Sequence, residues 1–133
     1  MPNRCVEIHD SILTAVSFSQ GEGQLHFSSV YIHQSEGAPG CDAGSGWTQQ
    51  AILRINNARA EGSFFKFPVT LSEGSLQLGN ETFDNEIPVP LRHNGSIALR
   101  LIGSEGGEVV FFTGSGAELE LLGDPKCVEE FRP

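Results

Sequence analysis

The pattern that most limits what this chain can fold into is period-two alternation in short apolar segments. Each segment is closed by glycine, proline or asparagine within roughly ten residues. Over Ile12–Ser19 the apolar residues Ile12, Val16 and Phe18 share one face. Gly21-Glu22-Gly23 then offers a short hairpin connection to a second strand over Gln24–Gln34. In that strand Leu25 and Phe27 have one parity and Val30 and Ile32 the other, so a β-bulge at Ser28-Ser29 is needed to put all four on the core side.

The rest of the chain reads the same way. Thr48–Ala60 alternates through Ala51, Leu53 and Ile55, and Phe64–Leu71 reads as a strand with Pro68 at an edge or bulge. Leu76 and Leu78 form a short strand between Ser72-Glu73-Gly74 and Gly79-Asn80. The two prolines in Glu86–Leu91 make that an extended edge segment. Asn94-Gly95 predicts a type I′ hairpin leading into Ile97, Leu99 and Leu101; Gly106-Gly107 predicts the next turn, before Val109–Phe112. Gly114-Ser115-Gly116 predicts one more, before Glu118–Leu122, and Val128–Phe131 closes the chain as a half-turn or short strand. No amphipathic helix stands out. The expectation is a single all-β domain over residues 1–133, an antiparallel β-sandwich or small barrel of about eight or nine short strands.

Composition bounds the function. Seventeen acidic against eight basic residues give a net charge of −9, and 11 of the 17 acids follow residue 61. Nucleic acid is an unlikely partner for a chain without a basic patch, because phosphate contacts need clustered Lys and Arg. No run of 18 apolar residues suggests a membrane span. The first ten residues carry Glu7 and Asp10 and lack the apolar core of a signal peptide, which points to the cytoplasm. Cys5, Cys41 and Cys127 form an odd set without a CxxC pair, so neither a disulfide framework nor a zinc knuckle is indicated.

The longest stretch without alternation, Ser35–Trp47, holds four glycines, a proline and the only Trp. One reading makes it a ligand-gripping loop, with Asp42 and Ser45 as polar contacts, Trp47 as a stacking platform and Tyr31 as a second aromatic surface. The other makes it a crossover anchored by a buried Trp47. It is not a P-loop, an EF-hand or a nucleophile elbow: the Lys, the alternate acids and the Gly-x-Ser-x-Gly frame are all missing. Asp42 beside Cys41 disfavours a thiolate there.

His26 and His33 fall on the outward face once the bulge is allowed, and with His9 they lack a metal-ligand spacing. His9-Asp10-Ser11 holds the residue types of a hydrolase triad, but neighbours in sequence cannot converge as one; a side-chain turn starting the Ile12 strand accounts for them. Glu105, Glu108, Glu118 and Glu120 lie on an expected hairpin, with Glu118 and Glu120 outward. That is either a solvated face or an acidic docking surface for a basic partner. Phe64-Phe65 puts one ring outside any single layer, which raises homodimerisation.

The opening Glu7-Ile8-His9-Asp10-Ser11-Ile12-Leu13, followed by a hairpin ending Leu25-His26-Phe27, resembles small bacterial β-proteins that start with His-Asp before an apolar strand. Some of those are similar to immunity-type proteins encoded beside polymorphic toxins. The resemblance covers residues 7–34 and implies a non-catalytic partner-binder, with no catalytic residues to carry over. The expected function is therefore binding without catalysis and without a cofactor. The ligand is a protein partner or, alternatively, a small molecule or carbohydrate held by the 35–47 loop.

Overall fold

Alternating segments bury one face only by pairing into a sheet that covers its own inner side. A computed structural model describes residues 3–37 and 43–131, and its regular structure is entirely strand. In chain order these are β1 (Asn3–Ser19), β2 (Glu22–Ser35), β3 (Gly44–Asn56), β4 (Arg59–Gly62) and β5 (Val69–Leu78). They are followed by β6 (Glu81–Asp84), β7 (Glu86–Val89), β8 (Arg92–Gly103) and β9 (Val109–Phe131). The fold is all-β and antiparallel, as the alternation requires.

The nine strands form one sheet in the order β6-β5-β8-β9-β3-β2-β1-β7, with β4 attached to β9. A further pairing, Ile12 with Thr70 and Leu13 with Val69, joins β1 to β5. The circuit β1-β2-β3-β9-β8-β5 therefore returns to its start, and the sheet encloses one core. That core includes Val6, Ile8, Leu13, Leu25, Phe27, Val30, Ile32, Leu53, Ile55, Leu76, Leu99, Leu101 and Phe112. The β-bulge expected at Ser28-Ser29 is present: Phe27 pairs with Ala51 and Val30 with Gln49, so both apolar pairs of β2 face inward.

The turns at Gly79-Asn80 and Gly106-Gly107 stand where expected, the turn expected at Gly21-Glu22-Gly23 falls at Gln20-Gly21 with Glu22 and Gly23 already in β2, and β7 is an edge strand beside β1. Other glycines do not turn the chain. The hairpin expected at Gly114-Ser115-Gly116 is absent, because β9 runs unbroken from Val109 to Phe131. A Cβ at Gly114 would lie 2.4 Å from Ile55 Cγ2 and 2.5 Å from the Asn56 carbonyl oxygen. Glycine serves here to let two strands approach. The same holds at Gly74, inside β5 rather than between strands, where a Cβ would meet the Arg100 carbonyl oxygen at 2.5 Å.

Asn94-Gly95 is likewise no hairpin. β8 continues through it, with a register shift against β9 between Asn94 and Ile97. The segment expected as one strand over 48–60 divides at Asn57 into β3 and β4. The strand expected from Phe64 starts only at Val69, after an irregular stretch.

Gly114→Ala is expected to destabilise the fold by about 1–3 kcal/mol, the usual range for forcing an atom into a filled site. Gly79→Asn, in an open left-handed turn position, should change stability little. Urea denaturation of the two variants beside the wild type checks the contrast.

Candidate functional site

The 35–47 stretch is shorter as a loop than its composition suggests, since Gly44, Ser45 and Gly46 already belong to β3. Asp42, the expected polar contact, lies outside the described residues. Trp47 is half-buried and packs against the core cluster, and its indole Nε1–H donates to Ser45 Oγ at 2.7 Å. The two expected ligand contacts thus satisfy each other, as an anchoring role for Trp47 requires.

Gly46 faces the other way, outward, and supports Tyr31. A Cβ there would overlap the tyrosine hydroxyl and ring, so only glycine lets that ring lie over β3. The Tyr31 hydroxyl donates to Glu129 Oε1 on β9. Burial first, then this hydrogen bond and the nearby charges of Glu129, Glu7 and Asp10, push its pKa well above the ordinary tyrosine value. Tyr31 also meets His33 edge-to-face at 5.0 Å, and His33 Nε2 lies 2.6 Å from Glu7 Oε2.

Glu7, His33, Tyr31 and Glu129 form a chain of contacts across β1, β2 and β9. His33 Nδ1 is itself buried, so the Glu7–His33 pair presents no ring nitrogen to a substrate. The arrangement ties strands together. His9 is paired locally with Asp10 at 3.1 Å, apart from the other histidines. Among the described residues no three His, Cys, Asp or Glu side chains are grouped closely enough to share a metal ion.

Glu118 and Glu120 lie on β9 and not on a hairpin, and two arginines offset part of the expected acidic surface, while Glu105 and Glu108 make no ion pair among the described residues. Arg92 of β8 sits 3.1 Å from Glu118. Arg54 of β3 lies 2.5 Å from Glu120 and 3.5 Å from Glu22, while Gln24 donates to Glu22 at 2.9 Å. Positive and negative groups alternate across four strands. Such partly exposed pairs contribute about 0–1 kcal/mol each.

An exposed aromatic surface stands elsewhere. Phe64 is 73% exposed, Phe111 47% and Phe67 43%, whereas Phe65 and Phe112 are buried. In β9, Val110 and Phe112 point into the core and Phe111 points out, paired with Glu61 of β4. The Ser63 amide then donates to the Val109 carbonyl, which holds the start of the 63–68 segment along the same edge. Phe65 turns inward and meets Phe67 edge-to-face at 6.4 Å. Strand alternation exposes Phe111 beside Phe112, whereas Phe64 and Phe65 lie in the irregular stretch before β5, where the first is exposed and the second buried.

Cys5 is buried and Cys127 exposed, and both are free thiols. No helix of the described residues is long and apolar enough to cross a membrane. Comparison with protein-family models, with curated proteins and with solved structures finds no match to this chain.

Burial, then the charges of Glu86 and Glu7, push the Cys5 thiol from 9.0 up to about 11. The folded state holds this proton more tightly than the unfolded chain does. That contribution to stability is full below pH 9.0 and is lost as pH rises toward about 11. The urea midpoint should therefore fall across this window, and Cys5→Ala should fall less steeply, with the Tyr31 part of the alkaline loss remaining. Tyr31→Phe, which keeps the ring over Gly46 but removes the bond to Glu129, should cost about 1 kcal/mol at neutral pH by the same assay.

Proposed function

We propose that this chain is a non-catalytic, cytoplasmic binding domain whose ligand is a protein, docked on the aromatic surface beside β4. The carrying observation is that Phe64, Phe67 and Phe111 are all exposed, with Phe111 beside β4 and the other two on the segment that β4 leads into. Large exposed aromatics are enriched at the cores of protein interfaces, where their apolar area is desolvated. Phe111 also walls a depression of about 180 Å³ with Ala98, Arg100 and Thr113, a place for a partner side chain.

Next to the rings, β4 pairs only with β9, and its second edge is open among the described residues. A non-catalytic role fits the buried second nitrogen of His33 and the engagement of Trp47 with Ser45. Free thiols at Cys5 and Cys127 fit a reducing compartment.

Affinity capture with the wild type and with a Phe64→Ser/Phe111→Ser variant tests the reading. A protein retained by the wild type and lost by the variant, with the urea midpoint preserved, is expected. A wild type that retains nothing above background, or a variant that retains the same protein equally well, overturns it. If the retained protein is a second copy of the chain, sedimentation velocity will show a dimer that the variant lacks.

A further inference from the structure

Three strands carry extra residues at one level of the sheet. In β1, Glu7 pairs with Tyr31 and Ile12 with Ser29, so residues 8–11 stand opposite a single residue of β2. In β2, Ser28 and Ser29 stand opposite Gln50 alone. Between β3 and β9, Thr48 pairs with Lys126 and Gln50 with Leu122, so Gly123-Asp124-Pro125 faces Gln49. Proline within a strand is at home in such a bulge, having no amide hydrogen to contribute to a ladder. Gly123 has a φ of 72°, and its carbonyl accepts from Gln49 Nε2 at 2.8 Å, which fixes the widest opening.

The interruptions spread β2, β3 and β9 on the outer face and leave a half-open groove of about 250 Å³. Its wall carries Ser28, Ser29, Thr48, Gln50, Asp124 and Lys126, with Leu122 as an apolar contact. Elsewhere on the outer face polar side chains engage each other: Tyr31 with Glu129, Glu7 with His33, Arg54 with Glu22 and Glu120, Arg92 with Glu118. The six polar groups of the groove wall make no side-chain hydrogen bond or ion pair among the described residues. Unengaged donors and acceptors therefore converge in a concavity, while those on the neighbouring faces are committed.

From this contrast we propose that the groove over the bulge line binds a small neutral polyhydroxylated ligand, a mono- or disaccharide. The deeper unengaged groups, Ser29 and Thr48, are neutral and half-buried. Hydroxyl and amide groups both donate and accept, matching the paired roles of vicinal sugar hydroxyls. Leu122 offers an apolar contact to a sugar C–H face. Asp124 and Lys126 sit at the exposed rim, where a charge contributes little to holding a zwitterion such as a free amino acid. The volume lies at the small end of ligand sites, and the wall lacks an aromatic platform, so the affinity is modest. This site is separate from the aromatic surface at β4 and shares none of its residues.

Amide chemical shifts of the full chain, titrated with glucose, galactose, mannose, N-acetylglucosamine, maltose and sucrose, and in parallel with glycine and glutamine, test the proposal. The expected result is saturable shifts at residues 28–29, 48–50 and 122–126 with at least one sugar and with neither amino acid. Gln50→Ala/Asp124→Asn should weaken that binding about tenfold or more, the loss expected for one or two hydrogen bonds, with the rest of the spectrum unchanged. Absence of saturable shifts there with every sugar, saturation by an amino acid instead, or unaltered affinity in the variant overturns it. None of these outcomes bears on protein capture through Phe64 and Phe111.

Discussion

Everything in this fold depends on β1 changing partners. Its first half lies between β2 and β7, through pairs such as Val6 with Ile32 and Ile87. Its middle must reach β5, and only two residue pairs make that contact. The change is made at Asp10, whose φ of 74° breaks the ladder, and it is held by two polar side chains. Ser11 Oγ, almost fully buried, donates to the Glu7 carbonyl at 2.8 Å and accepts from the Tyr31 amide at 3.2 Å. Asn85 accepts from the Ile8 amide through its carbonyl and from the His9 amide through Oδ1. Backbone groups released by the bulge are thereby satisfied, without which the bend would bury them unpaired. Closure follows, and with it a core that Ile8 and Leu13 enter from opposite sides of the bend.

Much of this was legible in the residues, and what was not has a common cause. Parity conflict in β2 could be resolved only by a bulge, and Ser28-Ser29 supplies it. Turns at Gly21, Gly79 and Gly106-Gly107 were readable because each needs a positive φ. Gly74 and Gly114 carry the same letter for a different reason: a neighbouring strand leaves no room for a Cβ. One sequence does not distinguish these uses, since the approaching atoms belong to Arg100, Ile55 and Asn56, distant along the chain. The bulge in β9 did have a local signal, Gly123-Asp124-Pro125 inside an apolar-polar run, and it marks the groove.

The site residues divide in the same way. Alternation correctly put Glu118 and Glu120 outward, but their neutralisation depends on Arg54 and Arg92, brought beside them by the β3–β9 and β8–β9 registers. A carboxylate pair seen along one strand looks acidic; seen across four strands its charge is partly offset by two arginines. Trp47 could be read as platform or anchor until the register placed it opposite Ile32, on the core side. One ring of Phe64-Phe65 is exposed as expected, but in an irregular stretch and not by strand alternation. Alternation does force exposure at Phe111-Phe112, where the register sets Glu61 of β4 beside the exposed ring.

The two proposed surfaces are products of one strand used twice. β9 supplies Phe111 where it runs between β4 and β8, and it supplies Leu122 to Lys126 where it runs beside β3. Eleven residues, 112–122, separate Phe111 from Gly123, on the order of 35–40 Å of extended chain, so neither surface can borrow a group from the other. Their chemistry differs for a structural reason. Near β4 the sheet is regular, alternation is strict, and an apolar residue at outward parity has no choice but exposure. At the bulge line alternation fails on several strands together, and polar side chains meet there without the register that pairs them elsewhere. A partner suited to the first surface needs apolar area and finds little of it in the groove. A ligand suited to the groove needs convergent hydrogen-bonding groups, which the ringed edge does not offer.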